Sequence, residues 1–187
     1  LTVLSNLSPQ YVAVCFDRKE PTFRHKKFKE YKIHRKPMDE ELVRQIPKVH
    51  EIVETLNIPI FEKEGYEADD IIGTLSLRTK VPNENLEIMI VTGDHDTLQL
   101  INNKVRVYMP GRGKQPAQVY DEGKVLEKYG LIPEQIPDFK ALAGDASDGI
   151  PGVSGIGPKT AKDLLVKFGK LDEIYQHLSE VSTPVAE

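Results

Sequence analysis

Short apolar runs alternate with helical patterns along most of this chain, and that alternation constrains its fold more than any other feature. Apolar runs lie at residues 11–16, 58–61, 86–91 and 105–109. Each run is bounded by charged or turn-forming residues, as is typical of buried β-strands. Strands that alternate with helices predict an α/β fold with a mostly parallel sheet and flanking helices.

The helical patterns divide the chain into two parts. We predict a helix over residues 39–56, which Pro47 can kink or split. Further helices are predicted over residues 67–77, 121–129 and 133–143. Because the pattern beyond residue 137 is helical throughout, we expect an α/β core over residues 1–136 and a helical module over 137–187.

Composition excludes several classes of protein. The single cysteine, Cys15, cannot form an intramolecular disulfide and fits a reducing compartment. No run approaches the ~18 apolar residues that a membrane-spanning helix needs. With 29% charged and 39% hydrophobic residues, the chain is globular rather than disordered. We therefore expect a cytoplasmic protein that does not associate with a membrane.

Acidic side chains follow three of the predicted strands. Asp17 follows the first strand, a second group lies at a helix start after the second strand, and a third follows the third strand. These groups comprise Asp17, then Glu67, Asp69 and Asp70, then Asp94 and Asp96. Since the carboxyl ends of parallel strands meet at one edge of a sheet, we expect all three groups on one edge of one sheet.

Carboxylates so close together would repel one another and raise each other's pKa. A hard divalent cation, Mg²⁺ or Mn²⁺, relieves that repulsion because it favours carboxylate and water oxygens. Asp145 and Asp148 bring the number of acidic residues to eight, which is more than one Mg²⁺ can use. Two or more ions are therefore expected, and two ions about 4 Å apart can activate water against a phosphodiester.

The alternative for each acidic group is a purely structural role. Asp at a strand end or a helix N-terminus is often only a cap or turn residue. For one group alone that role is the better interpretation, whereas three groups at successive strand ends favour the metal site.

A glycine-rich segment at residues 149–161 resembles the helix-hairpin-helix motif that binds DNA. Gly155 and Gly157 lack a Cβ, so the amides of the hairpin can approach a phosphate closely. Pro158 suits a first helical position, and Lys159 and Thr160 add a charge and a hydroxyl at a helix N-terminus that favours anions. None of these groups reads a base edge, so binding should not depend on sequence. The alternative is a simple turn between packed helices.

The net charge of −4 argues against nucleic-acid binding, since such domains are usually basic. The charge is unevenly distributed, however, because residues 18–36 hold nine basic residues against two acidic ones. Phe23, Phe28 and Tyr31 lie among these cations, and this mixture suits stacking on unpaired bases and holding phosphates. Most charge runs are ordinary solvated faces. The position of this one, directly after Asp17, favours a role in guiding a strand to the metals.

Together these motifs resemble the 5′ nuclease domain of bacterial DNA polymerase I, within the flap endonuclease superfamily. The resemblance lies in the residues of segments 16–25, 31–35, 65–71, 92–96 and 142–148, which run into the hairpin. As an ordered set they are highly specific. The resemblance implies a resolvase-like (PIN-like) core, a helical arch at about residues 18–38, and a helix–three-turn–helix module.

The resemblance also implies a function and its residues. Members remove 5′ flaps and nucleotides from branched or nicked duplex DNA, and remove RNA primers, in replication and repair.

The resemblance also implies which residues carry this function. The family's metal ligands correspond to Asp17, Glu67, Asp69, Asp70, Asp94, Asp96, Asp145 and Asp148. Its arch residues correspond to Arg24, Tyr31, Lys32 and Arg35, and Lys32 would stabilise charge at the scissile phosphate. A K⁺ ion at the hairpin would use carbonyls near Val153 and Ile156.

The sequence departs from the family pattern in one respect. The family has a strand upstream of Asp17 that lies in the middle of the sheet and ends in a metal-binding Asp, and this sequence does not contain it. A polymerase domain follows in parent chains. Two alternatives stay open. One is a DNA-binding module without catalysis. The other is a single-strand ribonuclease on a related fold, which is the weaker alternative because that class of enzyme does not need the hairpin.

Overall fold

A computed structural model describes residues 2–78 and 86–181. The described residues form two compact units: residues 2–29 with 34–78, and residues 30–33 with 86–181. No helix in the described part of the chain is long and apolar enough to cross a bilayer.

The first unit consists mainly of helices around one short pair of strands. Its elements are α1 (Thr2–Leu7), β1 (Val14–Cys15), α2 (Phe23–Lys27), α3 (Glu40–Val43), α4 (Ile46–Thr55), β2 (Ile60–Phe61) and α5 (Ala68–Arg78). β1 and β2 pair in parallel, with Val14 opposite Ile60. The parallel pairing confirms the prediction, although the strand predicted at 11–16 shortens to two residues.

The predicted helix at 39–56 is split into α3 and α4. Asp39 caps α3, and its carboxylate accepts the Glu41 N–H at 2.8 Å. Pro47 lies in the first turn of α4. Proline has no amide hydrogen and is tolerated only in a first helical turn, so the chain begins a new helix there. The prediction that Pro47 can split this helix is confirmed.

The second unit joins a small sheet to a group of helices. Its strands are β3 (Ile88–Val91), β4 (Val105–Met109) and β5 (Gln118–Tyr120); its helices are α6 (Glu122–Tyr129), α7 (Ile136–Ala143), α8 (Pro158–Phe168) and α9 (Leu171–Gln176), with 3₁₀ turns at His95–Leu100, Pro133–Gln135 and Leu178–Glu180. β3 and β4 are parallel, and β5 is antiparallel to β4. Sequence reasoning missed β5, because a three-residue strand shows no periodicity.

The expectation of one sheet is wrong for the described residues. β1 and β2 form one sheet and β3, β4 and β5 form another, and within residues 2–78 and 86–181 no strand pairs with both. A local pattern identifies a strand, whereas its pairing partner is set by contacts far away in the sequence. Asp17 therefore follows a strand of the first sheet, and Asp94 and Asp96 follow a strand of the second.

The helices of the second unit share an apolar core. Leu165 and Ala161 of α8 are fully buried, and Leu142 of α7 is almost so. The Gln135 side-chain amide donates to the Leu165 carbonyl (3.0 Å), which also accepts the Gly169 N–H, and to the carbonyl of Gly169 (2.8 Å), the residue after α8. This packing fixes α7 against α8 and so holds the chain between them, residues 144–157.

Candidate metal centre and nucleic-acid interface

Three predicted metal ligands meet in the second unit: Asp96, Asp145 and Asp148. One carboxylate oxygen from each lies within 4.8 Å of the others, and this is the only such group among the residues that the structure describes. We call it the three-carboxylate group. A donor set made only of carboxylate oxygens fits a hard divalent cation such as Mg²⁺ or Mn²⁺.

Local hydrogen bonds position Asp96. After β3 the Asp94 carboxylate accepts the Asp96 N–H at 2.9 Å, and the buried Thr97 hydroxyl donates to the Asp94 carbonyl at 2.7 Å. These bonds start the 3₁₀ helix directly behind the strand. Asp94 therefore acts here as the cap that the structural alternative described, and it orients its neighbour Asp96.

A closed loop positions Asp145 and Asp148. The backbone of Asp145 exchanges two hydrogen bonds with Ile150, at 2.8 and 2.9 Å. Gly144, just before the loop, has a φ of +83°, and a Cβ there would lie 2.8 Å from the Ile150 carbonyl. Only glycine fits that position, so the sharp exit from α7 depends on it.

A lysine that sequence reasoning did not single out lies within this group. The Lys140 ammonium donates to Asp145 Oδ2 at 2.6 Å and also to Asp96 Oδ1. Asp145 Oδ1 accepts two bonds from Ser147, from the N–H at 2.9 Å and the hydroxyl at 2.6 Å. All three carboxylates of the group are only partly exposed.

These contacts separate the pKa values of the two aspartates. Burial alone would raise the pKa of Asp145, but the hydrogen bonds from Lys140 and Ser147 outweigh it and lower the pKa to about 2. The pKa of Asp96 lies above its ordinary value, because burial outweighs its bond to the same lysine. Burial lowers the pKa of Lys140, yet its two carboxylate partners raise it above the usual value. Asp145 and Lys140 are therefore a charged pair.

The predicted arch residues Tyr31 and Lys32 belong to this second unit. The Lys32 N–H donates to the Asp148 carbonyl at 2.9 Å, and Lys32 Nζ lies 4.0 Å from Asp148 Oδ2. A Cβ on Gly149 would lie 2.7 Å from the Glu30 carbonyl, so the segment 30–33 packs directly on the loop that carries Asp145 and Asp148. Lys32 has a φ of +56°, a left-handed conformation that costs a non-glycine residue roughly 1–2 kcal/mol.

Tyr31 is buried, with 7% of its surface exposed, and Lys32 Nζ lies 4.8 Å from the centre of its ring. The buried ring holds the lysine beside the three-carboxylate group. Its burial favours packing over the base stacking that the aromatic pattern predicted.

Four other predicted ligands lie in the first unit: Asp17 follows β1, and Glu67, Asp69 and Asp70 lie at the start of α5. Asp17 Oδ1 accepts the Ala68 N–H at 2.7 Å, and Asp70 Oδ2 accepts the Glu67 N–H at 3.0 Å. Both carboxylates thus cap the helix. The Arg24 guanidinium also donates to both oxygens of Asp70, each at 2.7 Å. Asp69 lies near Cys15, whose pKa is raised by burial and, secondarily, by that carboxylate.

Asp17 and Glu67 also line a cavity of about 220 Å³, together with Thr22, His25 and Tyr66. The Thr22 N–H donates to His25 Nδ1 at 3.2 Å. In this contact the ring nitrogen accepts the hydrogen bond.

The glycine-rich segment forms a turn between α7 and α8, as predicted. Gly155 has a φ of +80°, which favours glycine, whereas a Cβ on Gly157 would have no atom within 4 Å. Gly157 precedes α8 as its N-cap, and Pro158 lies in the first turn. Lys159 is exposed and Thr160 is partly buried at the same helix end.

Three binding predictions for this part of the chain stay predictions. They are phosphate binding at the start of α8, K⁺ coordination by carbonyls near Val153 and Ile156, and DNA binding by the exposed Arg35.

The functional residues that sequence reasoning missed are Lys140, Ser147 and Gly149. Ser147 lies in segment 142–148 and Gly149 begins the glycine-rich segment 149–161, so their spacing to Asp145 could have indicated a tight turn. Lys140 had no such signal, because its bond to Asp96 joins residues 44 positions apart.

Comparison with known proteins identifies the family. The family described as "5'-3' exonuclease, N-terminal resolvase-like domain" matches residues 1–130, and "5'-3' exonuclease, C-terminal SAM fold" matches residues 131–187. The chain belongs to the 5′-3′ exonuclease family. Its resolvase-like α/β fold with a C-terminal helical domain is thereby confirmed, and the boundary after residue 136 stays a prediction.

Individual relatives agree with this assignment. DNA polymerase I of Caldicellulosiruptor bescii is 47% identical over 189 residues, which cover 100% of this chain and 22% of the polymerase. A bacteriophage T5 5′-exonuclease structure with bound zinc ions has a TM-score of 0.78 and 25% identity, covering 95% of this chain and 68% of that one. A T5 flap endonuclease variant in complex with DNA and metal ions has a TM-score of 0.79 and 23% identity, over 95% and 67% of the two chains. The chain therefore spans about a fifth of the length of the polymerase that it matches.

Proposed function

We propose that this exonuclease hydrolyses phosphodiesters near the 5′ ends of branched, nicked or 5′-flap duplex DNA, and of RNA primers, in replication and repair. The observation that carries the proposal is the three-carboxylate group, with one oxygen from each of Asp96, Asp145 and Asp148 within 4.8 Å of the others. Membership of the 5′-3′ exonuclease family supports it.

Different residues of the chain have different roles in this proposal. Asp145 stays ionised, because Lys140 and Ser147 stabilise its negative charge. Bound at these carboxylates, two Mg²⁺ or Mn²⁺ ions would supply an activated water and neutralise the leaving oxygen. Lys32, held 4.0 Å from Asp148 by the backbone of the acidic loop, would bring positive charge to the scissile phosphate. Arg24 and Tyr31 would support the arch that orients the strand.

The remaining predicted ligands, Asp17, Glu67, Asp69, Asp70 and Asp94, belong to the same proposal. Asp17 and Glu67 line one cavity, which supports their acting on a common ligand. Asp94 contributes by holding Asp96, through the 2.9 Å bond to its N–H.

DNA would be held through its backbone at the turn before α8. The first turn of α8 has amide donors, the exposed Lys159 and no covering side chain at Gly157. Such a helix end binds phosphate without reading a base. The T5 flap endonuclease relative, which was crystallised with DNA and metal ions, supports this choice of partner. The implied setting is the bacterial cytoplasm, with a polymerase domain in the parent chain as in the matched polymerases.

A second candidate is a DNA-binding module without catalysis. It is favoured by the first unit, where Arg24 bonds both oxygens of Asp70 and Asp17 caps α5. Carboxylates with such partners are less ready to bind metal.

Binding and cleavage separate the two candidates. A labelled 5′-flap oligonucleotide is incubated with the chain, first in Ca²⁺ to measure binding and then in Mg²⁺ or Mn²⁺ to measure cleavage. The nuclease proposal expects binding in both conditions and cleavage near the flap base only with Mg²⁺ or Mn²⁺. Tight binding with an intact flap in both would favour the DNA-binding module. An unstructured RNA of equal length, cleaved faster than the flap, would favour a single-strand ribonuclease.

A further inference from the structure

The structure contains a cation of its own in the three-carboxylate group. Lys140 lies in the last turn of α7, and its ammonium donates to Asp145 Oδ2, at 2.6 Å, and to Asp96 Oδ1. Its side chain is 30% exposed, against 13% for Asp145. The ammonium therefore lies at the mouth of the group and touches two of its three members.

Hydrogen-bond capacity makes this contact consequential for a metal. Asp145 Oδ1 already accepts two bonds from Ser147, which use both of its lone pairs. A cation that binds Asp145 must therefore use Oδ2, the oxygen bonded to Lys140. Mg²⁺ binds carboxylate oxygens at about 2.1 Å, so ion and ammonium would share one oxygen and repel each other at close range.

Asp148 is differently placed. Lys32 Nζ lies 4.0 Å from Asp148 Oδ2, beyond hydrogen-bond distance. Lys32 can therefore keep its place while a metal binds, whereas Lys140 must give up at least its bond to Asp145.

We propose that Lys140 is a built-in competitor of the divalent cation: its ammonium occupies the oxygens of Asp96 and Asp145 and is displaced when the metal binds. The inference rests on the proposed metal site and adds a residue that weakens the affinity of that site. When no divalent ion is bound, the lysine offsets the repulsion among the three carboxylates and so stabilises the folded chain. Because the metal must displace it, the occupancy of the site depends on a higher metal concentration.

Metal titration tests the proposal directly. The DNA-free chain is titrated with Mn²⁺ in a calorimeter as the wild type, as Lys140→Met and as the control Lys167→Met. Lys140→Met removes the positive charge and keeps a side chain of similar length. Lys167 pairs with Glu180 at 3.5 Å in the same unit, outside the three-carboxylate group. Competition predicts a Kd for Mn²⁺ about three- to tenfold lower in Lys140→Met, since ion pairs of this exposure are worth roughly 1 kcal/mol. The control should match the wild type.

Thermal unfolding supplies a second readout. In EDTA, Lys140→Met should melt below the wild type, and saturating Mg²⁺ should raise its Tm by more than it raises that of the wild type. Lys140→Gln, which keeps a hydrogen-bond donor without the charge, replaces Lys140→Met if that variant does not fold. A Kd that is unchanged or raised in the neutral variants would overturn the proposal, as would equal Mg²⁺-induced shifts in Tm.

Asp145→Asn separates this inference from the proposed function. If Asp145→Asn loses Mn²⁺ binding while Lys140→Met and wild type bind equally, the metal site stands and the competition is wrong. If neither the wild type nor Lys140→Met binds Mn²⁺, the metal site itself is wrong.

Discussion

At the residue scale, the acidic side chains of this chain have two kinds of role. Asp94 caps a 3₁₀ helix and Asp70 caps α5, as ordinary aspartates do, while Asp96, Asp145 and Asp148 converge on a site fit for metal. The structural alternative and the functional one therefore apply to different members of the same groups. Sequence patterns located every carboxylate but did not separate these roles, because the separation depends on which backbone amide each oxygen meets.

The depressed pKa of Asp145 predicts a dependence of stability on pH. Its pKa in the folded chain is about 2, against an ordinary 3.8. The proton therefore binds the unfolded state more tightly, so the stabilisation is full above about pH 5 and is lost as pH falls through 3.8 towards 2. The shift corresponds to at most about 2.5 kcal/mol, since one pKa unit is worth ~1.4 kcal/mol.

Urea unfolding in EDTA measures this contribution in the wild type and in Asp145→Asn. The free-energy difference between them should be largest near neutral pH and should shrink as the pH falls from about 5 to 2. A difference that stays constant over this range would contradict the assigned pKa.

At the element scale, two glycines of the connection between α7 and α8 should behave in opposite ways. Gly149 has a φ of +76°, and a Cβ would lie 2.7 Å from the Glu30 carbonyl. Gly149→Ala should therefore destabilise the chain by roughly 2 kcal/mol or more, combining left-handed strain with a backbone clash. Gly157 has a φ of −88° and open space around its Cβ position. Gly157→Ala should change the unfolding free energy by less than about 0.5 kcal/mol.

Chemical denaturation of both variants checks the contrast. Gly157→Ala should nonetheless weaken DNA binding, because its methyl group would occupy the space through which a phosphate approaches. Equal stability losses in the two variants would show that the loop is arranged differently.

Lys159 tests the DNA contact at the start of α8. A lysine that meets a phosphate contributes to affinity on every sequence, so Lys159→Gln should weaken binding to unrelated duplexes by similar factors. It should also reduce the slope of log affinity against log salt by about 1. Fluorescence anisotropy at several salt concentrations measures both, with Lys124→Gln on exposed α6 as the control. A loss confined to one sequence, or an unchanged slope, would contradict a phosphate contact.

At the scale of the whole molecule, local patterns predicted the elements better than their assembly. The break at Pro47, the strands β3 and β4 and the helix after Pro158 all follow from short-range rules, namely proline sterics, apolar runs and helix starts. The division into two sheets and the bond between Lys140 and Asp96 depend on contacts between distant residues, which periodicity does not encode. The same limit applies to the candidate site, where the sequence patterns identified the carboxylates but not the lysine that bonds two of them.

The most direct test of the whole account is Mg²⁺-dependent cleavage of a 5′-flap substrate by wild type and Asp145→Asn, with flap affinity measured in parallel in Ca²⁺. Asp145 supplies a metal ligand and does not contact DNA in this account. The rate at saturating flap should therefore fall by at least about 100-fold, while the Kd for the flap changes less than about threefold. A wild type that binds the flap and leaves it intact in Mg²⁺, or a variant whose binding falls as much as its rate, would contradict the account.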